Sequence, residues 1–295
     1  MGTGKAMNGL QHTVKKMVER KEQPGMLRAL GENLWRLATP ADFPWVEPAF
    51  KNLEYRRRTG RGVPPHADIY LPRRSGPIPS VLLVHGGAFV LGHKRMKPAR
   101  YLASLLVEAG FAVCSIDYRL ISRGGRLPES LEDVSVALGW WTNQAEQWNL
   151  DTNRVSLVGV SAGATLSMLV AGGPQARSVD RVACFFGAYE FDGLHGPIGD
   201  LLPRLLLQSS DRKEWRRCSP LNAPPPPCPV LLLHGTEDAL VPVEQAQRLS
   251  DKRQEANLRT QVCVYDGAPH GFLNVPSEAR NDAGRQLIQF LEASV

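Results

Sequence analysis

Two short apolar runs constrain the fold of this 295-residue chain more than any other feature. Val81–Val84 and Val230–Leu233 contain only aliphatic residues, without the alternation of polar and apolar positions that marks a half-exposed strand. Strands of this composition are covered on both faces, as in a parallel sheet with helices on each side. The two runs therefore predict an α/β architecture built on a buried parallel sheet.

Short apolar runs alternate with helical segments from about residue 52 to the C-terminus. The predicted strands are Asn52–Arg58, Ala67–Leu71, Ser80–Val84, Ala112–Asp117, Val155–Val160, Val182–Phe186, Val230–His234 and Gln261–Tyr265. The predicted helices span residues 98–109, 129–147, 162–172, 243–257 and 277–293. This alternation predicts one doubly wound α/β domain, with a mostly parallel eight-stranded sheet and helices on both faces.

The composition excludes several classes of protein. The hydrophobic fraction is 43% and the net charge is +6, which is typical of globular chains and not of disordered or fibrous ones. The basic residues are scattered and not interleaved with aromatic residues, so we expect no nucleic-acid partner. No apolar run approaches the roughly 18 residues that cross a bilayer. The first thirty residues lack the apolar region of a secretory signal, and the five cysteines, none in a CxxC pair, are expected to be free thiols in a cytoplasmic protein.

The pentapeptide Gly159-Val160-Ser161-Ala162-Gly163 carries the strongest chemical signal. It follows the predicted strand Val155–Val160 and opens the predicted helix 162–172. In that context a G-x-S-x-G sequence forms a sharp turn that raises the serine hydroxyl above the sheet edge, with glycines where side chains would collide. The N-terminus of the helix also directs its positive dipole at the serine. We therefore predict that Ser161 is a nucleophile.

A glycine-containing loop, His85-Gly86-Gly87-Ala88-Phe89, follows another buried strand. Backbone amides in such a loop can approach a substrate closely and stabilise a negatively charged oxygen. The predicted oxyanion hole consists of Gly86, Gly87, Ala88 and Ala162. The amides of Gly87, Ala88 and Ala162 are the expected donors, whereas Gly86 is expected to allow the shape of the loop.

A serine nucleophile needs a base, and the candidates follow two other strands. His270 lies after the strand Gln261–Tyr265, and Asp238 lies after the strand Val230–His234. Open α/β sheets place their sites beyond the carboxyl ends of the strands, so these side chains are expected to meet Ser161. The order serine, aspartate, histidine along the chain is the order that this architecture uses.

The other titratable residues near the strand ends receive different interpretations. Glu237 is an alternative acid beside Asp238, while His85 and His234 are interpreted as structural hydrogen-bonding residues. Asp117, together with Arg119, is interpreted as loop scaffolding. No metal-ligand spacing is present, so we expect neither a metal ion nor a cofactor.

Six motifs together resemble those of one superfamily. They are His85-Gly86-Gly87-Ala88-Phe89, Asp117-Tyr118-Arg119-Leu120, Asp151-Thr152-Asn153-Arg154-Val155, Gly159-Val160-Ser161-Ala162-Gly163, His234-Gly235-Thr236-Glu237-Asp238 with Val241-Pro242, and His270-Gly271-Phe272. From about residue 52 onward the chain resembles the α/β-hydrolase superfamily, and within it the HGG-motif carboxylesterases. These are the hormone-sensitive-lipase-like bacterial esterases and the feruloyl-esterase-like hydrolases. The resemblance implies the α/β-hydrolase fold and serine chemistry.

The chain departs from the lipase-like pattern at a few positions. Lipase-like members have a third glycine where Ala88 stands and an aspartate where Val160 stands, often with a glycine where Ala164 stands. These departures favour the feruloyl-esterase-like or formamidase-like branches, and they leave the substrate open.

The combined prediction is a serine carboxylesterase for small to medium esters. Ser161, His270 and Asp238 would form its catalytic triad, and water would resolve an acyl-enzyme. An arylformamidase-like amidase with the same triad remains an alternative. A non-catalytic binding protein of the same fold is a second alternative, although all three triad positions are filled here. The expected partner is a small-molecule ester.

Residues 1–50 lack strand signals and carry helical spacing instead. Leu27, Leu30, Leu34 and Leu37 would lie on one apolar helix face, which needs a covering surface. We expect an N-terminal helical extension over residues 1–50 that contributes to a cap, ahead of a catalytic domain over residues 51–295. Few cations lie in this helix, which argues against a lipid surface, although Lys15, Lys16, Arg20 and Lys21 keep that option open. A homodimer contact is the third option. A short cap insertion is expected near residues 190–222.

Overall fold

An eight-stranded sheet forms the centre of the molecule. A computed structural model describes residues 31–32, 39–57, 65–194 and 196–293, without the side chains of 196–198. The strands are β1 (Phe50–Glu54), β2 (His66–Tyr70), β3 (Ile78–Val84), β4 (Ala112–Ile116), β5 (Leu150–Val160), β6 (Arg181–Phe185), β7 (Val230–Glu237) and β8 (Thr260–Pro269). Their spatial order is β1-β2-β4-β3-β5-β6-β7-β8, and only the β1–β2 and β2–β4 pairs are antiparallel. The prediction of a mostly parallel eight-stranded sheet is confirmed.

Helices cover both faces of this sheet. They are α1 (Lys97–Glu108), α2 (Leu127–Asn143), α3 (Ala145–Trp148), α4 (Ala162–Ala171), α5 (Gly196–Leu207), α6 (Arg212–Cys218), α7 (Glu244–Glu255) and α8 (Glu278–Glu292). Val81 and Leu83 of β3 pack into the core on the side of α1 and α8. Leu82 and Val84 pack into the core on the side of α2, α4 and α7. Burial on both faces explains why this strand shows no polar alternation.

Several element boundaries differ from those expected: β1 begins and ends earlier than predicted, and β7 and β8 continue further, to Glu237 and Pro269. β5 begins at Leu150, five residues early, because Leu150 pairs with Ile78 and a bulge then precedes the pair of Val155 with Ser80. The predicted helix 129–147 is divided at Gln144 into α2 and α3. Such bulges and breaks depend on pairing with distant segments, which local composition does not encode.

The stretch between β6 and β7, where a cap insertion is predicted, contains α5 and α6. Gln245 of α7 is fully buried and ties the start of this stretch to the domain. Its Oε1 accepts hydrogen bonds from the amides of Tyr189 and Glu190, and its Nε2 donates to the carbonyls of Glu190 and Gly193. The entrance to the insertion is therefore anchored beside the carboxyl edge of the sheet.

Residues 39–50 run along α1 and α8. Asp42 forms an ion pair with Arg280 at 2.7 Å, and the amide of Val46 donates to Ser104 Oγ at 2.8 Å. The predicted amphipathic helix with Leu27, Leu30, Leu34 and Leu37 lies outside the described residues. Its role in a cap stays a prediction. Within the described ranges, no helix combines the length and the apolar character needed to cross a membrane.

Candidate active site

Ser161 lies on a tight turn between β5 and α4. Its φ of +52° is in the left-handed region, and its amide donates to the Phe185 carbonyl at 2.8 Å. A Cβ atom on Gly163 would lie 2.1 Å from the carbonyl oxygen of Val84, and one on Gly159 would lie 2.4 Å from the carbonyl of Gly163. Only glycine at both positions allows the helix to start this close to the sheet.

Ser161, His270 and Asp238 form one hydrogen-bonded series. Each is the first residue after its strand, β5, β8 and β7 respectively, so the three side chains meet at the carboxyl edge of the sheet. Ser161 Oγ lies 3.0 Å from His270 Nε2, and His270 Nδ1 lies 2.7 Å from Asp238 Oδ2. Because a carboxylate only accepts, Nδ1 carries the proton and Nε2 is left to accept the serine hydroxyl. The structure thus brings together the three residues that the motifs predict.

Asp238 is buried and surrounded by hydrogen-bond donors. Its Oδ1 accepts from the amides of Leu240 at 3.0 Å and Val241 at 2.8 Å. Burial alone would raise the pKa of this carboxyl, but the electrostatic interaction with His270 and the hydrogen bonds from His234 and His270 outweigh it and lower the pKa below its usual value. The carboxylate is therefore ionised at neutral pH. Asp238, not the alternative Glu237, is the acid that accepts from His270.

The loop after β3 passes directly beside the nucleophile. A Cβ atom on Gly86 would lie 2.9 Å from the Val160 carbonyl and 3.2 Å from Ser161 Cβ. Gly87 has φ +122° and Ala88 has φ +52°, so the chain reverses here in the left-handed region. This turn brings the loop amides to the wall of the cleft beside Ser161.

The expected oxyanion donors are unengaged within the described part of the chain. The amides of Gly87, Ala88 and Ala162 make no hydrogen bond to those residues. Gly87 and Ala88 line the same cleft as Ser161, and Ala162 is the first residue of α4. Two loop amides and a helix N-terminus can therefore receive a developing negative charge.

His85 stabilises this loop through a stacking contact and a hydrogen bond. It is buried, stacks on Tyr118 at 4.4 Å between ring centroids, and directs Nδ1 at the Gly86 carbonyl, 2.7 Å away. Burial lowers the pKa of His85 to about 4, so the ring is neutral and Nδ1 donates its proton to that carbonyl. This arrangement matches the interpretation of His85 as a structural hydrogen-bonding residue.

A buried ion pair anchors the chain that follows the loop. Asp117 accepts from the Lys94 amide at 2.7 Å and from Lys94 Nζ at 2.6 Å. Ser115 Oγ donates to the Lys94 carbonyl at 2.9 Å. Asp117 therefore acts as loop scaffolding, as its place at the end of β4 predicts, and Arg119 joins a separate pair with Asp133 at 2.9 Å.

The series opens onto a cleft of about 140 Å³. Its wall is formed by Gly86, Gly87, Ala88, Leu91, Met96, Pro98, Val160, Ser161, Phe186, Leu240, His270, Gly271 and Asn274. Phe186 packs edge-on against the His270 ring, with centroids 4.8 Å apart. Sequence reasoning did not single out Phe186, Leu240 or Asn274. Asn274 could have been noticed because it is a polar residue inside the apolar stretch Phe272–Val275. Phe186 gives no such signal, because a phenylalanine at a strand end is typical of the apolar core.

Comparisons with known proteins find similarity to esterases. The BD-FAE family model matches residues 67–191. The esterase LipC of Mycobacterium tuberculosis is 32% identical over 265 residues, which covers 79% of this chain and 64% of LipC. The probable isoprenylcysteine alpha-carbonyl methylesterase ICME of Oryza sativa subsp. japonica is 27% identical over 241 residues, covering 73% of this chain and 58% of that protein. The chain thus spans somewhat less than two thirds of each of these relatives.

A solved structure shows the same fold. Esterase B from Lactobacillus rhamnosis matches with a TM-score of 0.72 at 18% identity, over 96% of each chain. In the present chain the ends of β5, β7 and β8 hold Ser161, Asp238 and His270. The chain therefore has the α/β-hydrolase fold, and its residues 67–191 are similar to the BD-FAE family.

Proposed function

We propose that this protein is a serine carboxylesterase that hydrolyses small carboxylic esters through an acyl-enzyme. The observation that carries the proposal is the unbroken hydrogen-bonded series from Ser161 Oγ through His270 to Asp238 at the wall of a cleft. Relatives named as an esterase and a methylesterase support ester hydrolysis as the reaction class.

Acylation begins at Ser161. Its Oγ attacks the carbonyl carbon of the ester while His270 Nε2 takes the hydroxyl proton. Asp238 holds the imidazole in the tautomer with Nδ1 protonated and stabilises the imidazolium that forms. When the tetrahedral intermediate collapses, the bond to the alcohol oxygen breaks and His270 returns the proton to that oxygen. The alcohol leaves and the acyl group remains on Ser161.

Water completes the cycle by the same route. His270 takes a proton from a water molecule, whose oxygen attacks the acyl carbonyl. The second tetrahedral intermediate releases Ser161 Oγ, which regains its proton from His270, and the carboxylic acid departs. Both intermediates carry a negative oxygen, which the amides of Gly87, Ala88 and Ala162 would stabilise. Loss of one such donor raises a barrier by about 2.7–4 kcal/mol in enzymes of this type.

The size and lining of the cleft favour short acyl groups. A volume of about 140 Å³ holds only a few carbon atoms beyond the ester, and Phe186 and Leu240 stand at its wall. Most lining side chains are apolar, so binding would rest mainly on burial of aliphatic surface. We therefore expect acetyl and butyryl esters to be hydrolysed faster than long-chain esters.

The test is a rate profile over p-nitrophenyl esters from acetate to palmitate, with Ser161→Ala and a matched control. Ser167→Ala makes the same change on the buried side of α4, away from the cleft, and should keep activity. Ser161→Ala should lose about 10⁴-fold or more, because the members of a triad act as a unit. Near-normal activity in Ser161→Ala would refute the proposal, and faster turnover of palmitate than of butyrate would refute the size preference.

Assays on the same wild-type protein and serine variants distinguish the esterase from the amidase and from the non-catalytic binding protein. Hydrolysis of N-formylkynurenine in preference to an aryl acetate would identify an amidase that uses the same series. A wild-type protein that neither hydrolyses any ester nor reacts with a fluorophosphonate probe would identify a binding protein of this fold. Reaction of the probe with wild type and Ser167→Ala, but not with Ser161→Ala, is the result that the proposal requires.

A further inference from the structure

One polar side chain stands out in the wall of the cleft. Apart from Ser161 and His270, the lining residues that the structure describes are glycine, alanine, proline or carry larger apolar side chains, with the single exception of Asn274. Asn274 ends the short turn Phe272–Asn274 after His270, and this turn packs against α1. Asn274 is thus one of the residues around the cleft that a substrate of Ser161 would enter.

Asn274 is buried without full hydrogen bonding. It is 4% exposed, and its Oδ1 has no hydrogen-bond partner among the residues that the structure describes. Its neighbours Phe272 and Leu273 are also buried, and both belong to the apolar core, so an apolar side chain would suit the position. An unsatisfied buried carboxamide lowers stability, and such exceptions in a folded protein commonly mark a functional group.

We propose that Asn274 determines specificity by hydrogen bonding to a hydroxyl group of the ester substrate. A carboxamide offers both an acceptor and a donor, and a hydroxyl group can pair with either one. The inference rests on the proposed esterase function and adds a substrate class to it, namely short esters whose alcohol or acyl part carries a hydroxyl group near the ester bond.

The lack of charged residues around the cleft disfavours an ionic group on the substrate beside Asn274. No Asp, Glu, Lys or Arg lies among the described residues of its wall. A carboxylate or an ammonium group on the substrate would therefore be buried without a counter-charge, which is strongly unfavourable. A neutral hydroxyl group gains a partner in Asn274 and costs far less to desolvate.

Hydrogen bonding of this kind discriminates strongly between substrates. A site built around a polar contact rejects the analogue that lacks the partner, because the buried polar group is then left unpaired. Apolar contacts with Met96, Pro98 or Leu240 would distinguish a hydroxyl-bearing ester from its methyl analogue only weakly. Discrimination between a hydroxyl group and a methyl group is therefore the property to measure.

The experiment compares kcat/KM for two pairs of esters of matched shape. In the first pair, 2-hydroxyethyl butyrate and propyl butyrate differ in the alcohol part. In the second, methyl 3-hydroxybutyrate and methyl 3-methylbutyrate differ in the acyl part. The enzymes are wild type, Asn274→Leu, which keeps the branching of the side chain but has no polar atom, and Met96→Leu, a control at an apolar position of the same wall. p-Nitrophenyl acetate, which has no hydroxyl group, reports the basal reaction.

We expect Asn274→Leu to lower kcat/KM for the hydroxyl-bearing member of at least one pair by roughly 10- to 100-fold. The ratio of kcat/KM between the hydroxyl-bearing and the methyl-bearing member of that pair should therefore fall, whereas Met96→Leu should leave both ratios unchanged. An unchanged ratio in both pairs for Asn274→Leu, or an equal loss on both members of each pair, would overturn the inference. If the leucine variant does not fold, Asn274→Ala, which adds no atoms, serves for the same comparison.

The failure of this inference is distinguishable from failure of the proposed function. Wild type that hydrolyses p-nitrophenyl acetate through Ser161, with no effect of Asn274→Leu on either ratio, overturns the role of Asn274 alone. Wild type without any Ser161-dependent hydrolysis overturns both.

Discussion

His234 Nε2 lies 3.1 Å from Oδ2 of Asp238, the carboxylate oxygen that also accepts the hydrogen bond from His270. The same Nε2 lies 3.0 Å from the Val241 carbonyl oxygen. Since both neighbours are acceptors, Nε2 must carry a proton. His234 therefore donates a second hydrogen bond to the acid of the proposed triad or to the Val241 carbonyl, and it links the acid to the turn that follows β7.

Removing this contact should lower turnover without abolishing it. A hydrogen bond to a charged group contributes about 1.5–3 kcal/mol, which corresponds to roughly 10- to 100-fold in rate if it is lost from a charged transition state. His234→Leu should lower kcat for p-nitrophenyl butyrate by that factor with little change in KM. His234→Gln, whose Nε2 can take the place of the ring nitrogen, should recover most of the activity. Equal kcat in the two variants would argue against a positioning role.

Asp238→Asn should leave a folded protein with turnover lower by about 10⁴-fold. The amide can donate to His270 Nδ1 and so favours the tautomer in which Nε2 cannot act as base. Glu237→Gln, one residue away, is the matched control and should keep most of the activity. The measurement is kcat for p-nitrophenyl acetate in the two variants, and the reverse ranking would mean that the acid is assigned to the wrong position.

Because of His85, we expect the folded protein to be less stable in mild acid than at neutral pH. Its pKa in the folded protein is about 4, because of burial, whereas an unfolded histidine has a pKa of about 6.5. Between these values the unfolded chain binds a proton that the folded protein does not, so stability falls as the pH falls from about 6.5 to about 4. The loss from this group should reach about 3 kcal/mol.

Urea unfolding at pH 7 and pH 4.5 tests this dependence. His85→Asn keeps a donor that can reach the Gly86 carbonyl but does not titrate in this range. It should lose less stability than wild type between the two pH values. The same loss in both proteins would show that other groups account for the acid sensitivity.

Gly87→Ala should damage both the loop and the chemistry. The φ of +122° is unfavourable for alanine, and the added Cβ would lie 1.9 Å from the Leu91 carbonyl oxygen, so the backbone must move. We expect kcat to fall by at least roughly 100-fold, as for loss of an oxyanion donor. Gly76→Ala also has a positive φ, +81°, but nothing lies within 4 Å of the added atom. Gly76→Ala is therefore the control: it should lower the free energy of unfolding by about 1 kcal/mol and leave kcat unchanged.

Much of the candidate site could be predicted because it lies at strand ends. The aliphatic runs in β3 and β7 mark a parallel sheet, and in such a sheet the residues that follow the strands gather at one edge. Ser161, Asp238 and His270 each follow a strand directly, so their convergence needed only the order of the elements. The glycines around Ser161 carried the local geometry of the turn in the same way.

The contacts of His234 and Asn274 could not be predicted in this way. His234 looks like any histidine before a glycine, and its contact with Asp238 depends on the turn that brings Val241 back to β7. Asn274 enters the cleft wall only because the turn after His270 packs against α1, which is more than 160 residues earlier in the chain. The contribution of residues 1–50 to a cap also stays a prediction.

The sequence by itself determined the fold class, the order of the strands and helices, and the three residues of the proposed triad, because apolar periodicity and glycine-dependent turns are local properties of the chain. Only the tertiary structure decided which side chains form the wall of the cleft, which oxygen of Asp238 is shared by two histidines, and where the β5 bulge falls. These features depend on which distant segments pack together, and the energy of that packing is a property of the whole domain rather than of any local motif.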